Sequence, residues 1–379
     1  MGYIGGLRSF DGDEREYHMK MMMALEEASE EVPDDIIDDD SRRYDYYTGK
    51  LLDRTKYIAG RDKELQQMED FSVVRRVKKS EATNGKHVRM KIIASEKGDI
   101  VRWRLVSMEV NNHERPDVFA GTPSLKVFRM LIAKAASHRH PEHGHRKIIA
   151  ILDAAVAFFH AEMDETIYAH PPREAEADPT VVWLLLKARY GTRKAARLWQ
   201  EFLRNEVFLT ANWECVAVEP NVYHKNGKDN DDDDASACVH GDDFTIEARY
   251  DVFQESFDMI KSKVDIKVIS IIGPGQSTEA KIVKRVLNWC PGGFSWKANP
   301  QHAIDLIKWA GLENSAAAAP SPGTQATTKS MRDALDELPY ERAGPASSAG
   351  GTATYLALDR SDISYSVRRA NQDISKPKA

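Results

Sequence analysis

The chain has 379 residues, 42% hydrophobic and 30% charged, with a formal net charge of −6. That balance suits a folded chain with a real apolar core. No apolar run approaches the roughly 20 residues that span a bilayer, and the N-terminus lacks the charged-then-apolar pattern of a secretory signal. The three cysteines, Cys215, Cys238 and Cys290, are odd in number and scattered. They read as reduced thiols of an intracellular protein, cytoplasmic or nuclear, rather than a disulfide framework. The acidic balance is local: Glu30 to Asp40 holds seven acids and Asp229 to Asp234 five, with no Lys or Arg in either. Both runs read as solvated and flexible. The remainder is mildly basic, which permits a polyanionic partner.

In chain order, residues 1–60 read as a poorly ordered acidic leader, with a Met-rich amphipathic stretch from Tyr17 to Glu31. Leu65, Met68 and Phe71 at helical spacing predict a helix over Arg61 to Phe71. Val73-Val74, Val88 to Ile93 and Ile100 to Val106 are short β-prone runs parted by Asn84-Gly85 and Lys97-Gly98-Asp99. They predict a small antiparallel meander. Ser124 to Ser137 is an amphipathic helix, Lys147 to Ala154 a buried strand and Trp183 to Leu186 a short strand. Lys194 to Leu209 reads as one helix with Trp199, Phe202, Leu203 and Phe208 inward. Val222 to His224, Ala237 to His240 and Phe244 to Glu247 predict strands, the last two forming a hairpin with Asp242 and Asp243 near its tip. Val252 to Lys263 is a further amphipathic helix. Ala316 to Ser348, rich in Ala, Ser, Pro and Gly, reads as an extended connector, and Gly351 to Ile374 as helical.

The chemistry concentrates at Asp153, which ends an apolar run, and at the adjacent pair Asp242-Asp243. Side-by-side carboxylates repel unless a cation or solvent offsets their charge. Such groups, brought together by neighbouring strands that end at one sheet edge, are the minimum for holding two divalent cations against a nucleoside triphosphate.

The ordered series Leu152-Asp153-x-x-x-Ala157-Phe158-x-His160, Asp164-Glu165-x-Ile167-Tyr168-x-x-Pro171-Pro172, Leu186-Lys187-x-x-Tyr190-Gly191, Ala195-x-Arg197-x-Trp199, Asp242-Asp243 and Tyr355-Leu-x-Leu-x-Arg360-x-Asp362 resembles the reverse transcriptase domain of copia-type retrotransposon polyproteins. The resemblance runs from about Asp62 to the C-terminus. It implies an α+β right-hand polymerase: a leader (1–60), fingers (61–146), a palm with an antiparallel sheet (147–275), and a thumb or connection region (276–379) with a flexible linker near 316–350. It also implies an RNA-directed DNA polymerase that adds dNTPs to a primer along an RNA or DNA template, using two Mg²⁺ ions or Mn²⁺ in their place. Asp153, the Ala154 carbonyl and Asp242 would hold metal, with Asp243 a weaker catalytic contributor. Phe158 would lie under the incoming sugar, Arg104 and Arg102 along the triphosphate, and Lys194 in the nucleotide pocket. Arginine suits the phosphate role because its planar fork pairs bidentately with phosphate oxygens.

The chain departs from the family's Tyr-Val-Asp-Asp with His240-Gly241-Asp242-Asp243, and carries Lys194 and Ala196 where the family has Gln and Pro. It ends at Ala379 with no ribonuclease H, protease or integrase motif, which reads as a polyprotein fragment or a decayed element copy. Its partners would be a template-primer, dNTP and other segments of the polyprotein, with no membrane. Two rival readings stand beside the polymerase. One is a catalytically decayed remnant that keeps the palm fold, with or without nucleic-acid binding. The other is a metal-dependent nuclease, which lacks a Glu-x-Lys-type neighbour beside the Asp pair and an evident general base. His138, His140, His143 and His145 match no standard zinc spacing and read as a polar loop.

Overall fold

The computed structural model describes residues 43–110, 116–137, 139–140, 144–145, 147–227, 233–315, 339–372 and 374. The acidic leader up to residue 42, His138, His143, Asp229, Asp231, Asp232 and most of the expected connector (316–338) lie outside the described residues. The fold is α+β. The chain packs as two units, one comprising the described residues up to Ala280 with Trp289–Phe294, the other Lys281–Asn288 with those from Ser295 onward.

The first unit opens with helix α1 (Arg54–Asp70), which starts seven residues before the expected Arg61. The Asp53 carboxylate accepts a hydrogen bond from the Lys56 N–H at 2.9 Å, satisfying a donor that the helix start would otherwise leave unpaired. The helix lies on a mixed five-stranded sheet, in the order β1 (Val74–Lys78), β8 (Val181–Leu185), β7 (Ile167–His170), β2 (Lys86–Lys97), β3 (Ile100–Met108). The β2–β3 hairpin is antiparallel as expected. The meander is not: β1 pairs with β8, and β8 and β7 stand between it and β2, to which β7 runs parallel. Local alternation marks strands but carries no information on partners a hundred residues away. Tyr57, Met68, Trp103, Leu105, Phe159 and Trp183 fill the core of this layer.

The second sheet is wholly antiparallel, in the order β13 (Ile266–Ile272), β6 (Lys147–Ala154), β12 (Asp243–Arg249), β11 (Ala235–His240), β10 (Val222–Lys225), β9 (Glu214–Cys215). Strand alternation sorts its two faces. Ile148, Ala150, Leu152, Phe244, Ile246 and Ala248 face a core shared with Trp199, Phe208 and Phe253. Lys147, Thr245 and Glu247, one residue out of phase, face the other way toward helix α2 (Leu125–Ser137), whose Lys134 reaches Glu247 at 3.2 Å. A two-stranded hairpin, β4 (Arg139–His140) with β5 (Gly144–His145), joins α2 to β6.

The helix expected over Lys194 to Leu209 is not uniform. Helix α3 (Ala195–Phe202) widens into a π-helical stretch (Leu203–Phe208) and closes with a 3₁₀ turn. The widening keeps Leu203, Val207 and Phe208 all buried, with Phe208 stacked on Tyr223 at 3.9 Å. Helix α4 (Tyr250–Lys261) follows β12. The acidic run also differs from a flexible loop at its end: Asp233 pairs with Arg249, and Asp234 with Lys147 and Lys134.

β14 (Glu279–Ile282), β15 (Arg285–Cys290) and β16 (Gly293–Ala298) form a third sheet. The second unit holds helices α5 (Pro300–Trp309), α6 (Tyr340–Ala357) and α7 (Ser364–Ala370). Residues 340–348, expected to be extended, are helical despite Pro345. Helix propensity disfavours Gly344 and Pro345, so the helix here rests on tertiary contacts such as the Ser347 hydroxyl donating to the Ile374 carbonyl at 2.8 Å. Fully buried Arg285 ties β15 to α6, pairing with Asp359 at 2.6 Å beneath the Tyr355 ring.

Candidate functional site

The end of β6 and the β11–β12 turn meet at one sheet edge. Asp153 and Asp243 are directly opposite partners in the β6–β12 register. His240 pairs with Asp243, leaving Gly241-Asp242 as a two-residue turn. Gly241 has φ +67 and Asp242 is outside the left-handed region, the pattern of a II′ hairpin turn, which takes glycine at its first central position. The turn is held from two sides. The Ala154 N–H donates to the Asp242 carbonyl at 2.8 Å, and the Trp199 Nε1–H donates to the Gly241 carbonyl at 2.8 Å. The hairpin with both acids near its tip is therefore as expected, and it brings Asp153, Ala154, Asp242 and Asp243 together.

On its other side Asp153 faces Lys267 of β13, its register partner. The Lys267 ammonium lies 3.0 Å from Asp153 Oδ2, with the lysine side chain 66% exposed. An ion pair this wet contributes at most about 1 kcal/mol. It biases Asp153 without sealing it. Among the described residues, no three His, Cys, Asp or Glu side chains converge on a point where a metal ion could sit.

The residues expected at the nucleotide gather around Tyr190. The Arg104 guanidinium lies 4.6 Å over the Tyr190 ring, and Phe158 packs edge-on against the same ring at 4.9 Å. Burial raises the Tyr190 hydroxyl above its ordinary pKa; Arg104 opposes that shift and Asp242 adds to it. Arg102, two residues before Arg104 on β3, points to the same face by strand alternation. Lys194 stands apart from this stack. It is buried, and Asp164 holds its ammonium at 3.0 and 3.1 Å, with Asp117 at 3.4 Å. Burial works against ionisation of Asp164, but hydrogen bonds from Lys194 and Arg197 outweigh it and hold the carboxyl below its ordinary range.

Lys267 and Tyr190 escaped the sequence-based choice of site residues, as did the anchoring role of Trp199. Tyr190 and Trp199 stand inside quoted motifs, so position flagged them without giving their contacts. Lys267 carries no local signal: only the β13–β6 register puts it beside Asp153.

The sequence pattern of the family described as Reverse transcriptase (RNA-dependent DNA polymerase) matches residues 69–273, more than half of the chain. No curated protein sequence matches it. Among solved structures, similar chains include an apo telomerase from Candida tropicalis truncated from its C-terminal domain. The identity is 10% and the TM-score 0.37, over 65% of this chain and 60% of that one. Another is a telomerase from Candida albicans in complex with a TWJ fragment of telomeric RNA. There the identity is 6% and the TM-score 0.40, over 81% of this chain and 59% of that one. The chain thus spans about three fifths of each telomerase chain.

Proposed function

Because the chain belongs to the reverse transcriptase (RNA-dependent DNA polymerase) family, we propose that it is a copia-type domain that keeps the palm fold and binds template-primer, but has lost efficient nucleotidyl transfer. The observation that carries this reading is that, among the described residues, no three His, Cys, Asp or Glu side chains converge on a point where a cation could sit. The exposed Lys267 ammonium also pairs, weakly, with Asp153 at 3.0 Å. Asp164 and Asp117 surround Lys194, at the position where the family has glutamine. A triphosphate with its cations would have to compete with these partners. The described donor set as it stands does not gather ligands for a cation pair.

A two-metal polymerase using Asp153, Asp242, the Ala154 carbonyl and Mg²⁺ is the second reading. It is favoured by the direct Asp153–Asp243 pairing and by the small worth of the exposed Lys267 ion pair, which a divalent cation could displace.

Both readings need nucleic-acid binding, which fluorescence anisotropy of a labelled primed RNA template tests. We expect binding whose log K falls linearly with log salt, as counterion release requires. Asp153→Asn and Asp242→Asn should leave it intact or slightly stronger, because each removes a negative charge beside the polyanion. Absence of binding at low salt would remove the nucleic-acid component of the proposal.

A further inference from the structure

We infer that His87 and His170 form a binding site for one d-block divalent cation, of the Zn²⁺ or Ni²⁺ class, on the β2–β7 strand pair away from the carboxylate edge. The parallel register sets His87 opposite Tyr168 and Arg89 opposite His170, so the two histidines are diagonal neighbours on one face. His87 Nδ1 and His170 Nε2 are 2.9 Å apart. Two nitrogen–metal bonds of about 2.0–2.1 Å, at angles between square and tetrahedral, place adjacent ligand nitrogens roughly 2.9–3.4 Å apart. The metal-free separation already falls in that range.

The second observation is orientation. His87 Nε2 lies 3.1 Å from the Ala82 carbonyl, which can only accept. That contact makes Nε2 the protonated nitrogen and leaves the Nδ1 lone pair turned toward His170. A ring N–H donated to a backbone carbonyl is the usual support of a metal-binding histidine. Tyr168 flanks the His87 ring at 5.3 Å and limits its rotation.

In the metal-free chain His170 Nε2–H donates to His87 Nδ1. Binding requires His170 to carry its proton on Nδ1 instead, a tautomer change with no net proton release. Burial, then His87, Lys79 and Arg89, all lower the His170 pKa. The two cationic side chains also oppose a dication, so the affinity rests on the imidazole bonds. Water completes the coordination, because His87 is exposed.

The test is calorimetric titration of the full chain with Ni²⁺ and with Zn²⁺, beside His87→Gln and His170→Gln variants checked for fold by circular dichroism. Each variant should bind one equivalent fewer than the unsubstituted chain. The comparison cancels metal held elsewhere, including by the histidines between 138 and 145. Equal stoichiometry and affinity in all three proteins would overturn the inference. A measurement without variants guards against misfolding: diethyl pyrocarbonate modification of the native chain, mapped by peptide mass. Zn²⁺ should protect His87 and His170 together, and undiminished modification of both at saturating Zn²⁺ would equally overturn it.

Discussion

Replacing Gly191 with alanine should lower stability by about 3–5 kcal/mol, enough to shift the melting temperature of a domain this size by roughly 10 °C. Two costs combine. Gly191 has φ +84, where a side chain is strained, and a Cβ there would run into the Ser107 carbonyl oxygen and approach Val106 Cγ1 to 2.6 Å. That approach is close because the end of β3 is fastened to this segment: Ser107 N–H donates to the Tyr190 carbonyl at 2.9 Å, and Glu109 N–H to the Gly191 carbonyl at 3.2 Å. Pushing the strands apart also draws Arg104 away from the Tyr190 ring. Gly98→Ala is the control, since Gly98 has φ +61 but no atom within 4 Å of a built Cβ. It should cost only the conformational part, about 1–2 kcal/mol. Equal thermal shifts in the two variants would show that the Ser107 contact is unimportant.

Lys147→Met should be about as damaging, costing about 3–5 kcal/mol. The Lys147 ammonium is fully buried between Asp234 and Glu247, the latter at 3.0 Å and itself fully buried. Lys134 supplies the remaining charge, 2.6 Å from Asp234 and 3.2 Å from Glu247. Removing Lys147 leaves a buried carboxylate with one partner fewer, and an uncompensated buried charge is worse than no pair at all. The second variant follows from the same reasoning. Lys147→Met combined with Glu247→Leu removes both charges, leaves Lys134 with Asp234, and should recover most of the loss in urea unfolding. Losses that simply add would mean that Lys147 acts through packing rather than charge.

These two sites also mark what the sequence disclosed. The strand Lys147–Ala154, the helix from Leu125 and the acid-tipped hairpin were legible because apolar periodicity and turn chemistry are local signals. The pairing of β1 with β8 was not, and neither was the Lys147–Glu247 contact, since both join residues about a hundred positions apart. At the candidate site the motif order singled out Asp153, Asp242, Phe158 and Arg104. It could not show that Tyr190 lies between Arg104 and Phe158, or that Lys267 answers Asp153. Those contacts follow from strand register and side-chain packing, which no local pattern encodes.

Primer extension separates a template-binding remnant from an active polymerase. The full chain is given a primed homopolymer RNA template, labelled dNTP and Mg²⁺ or Mn²⁺, beside Asp153→Asn and Asp242→Asn. The chain should bind the primed template yet extend it no further than either variant does. Extension by the unsubstituted chain that both substitutions abolish would contradict the remnant reading, and would establish the two-metal polymerase in its place.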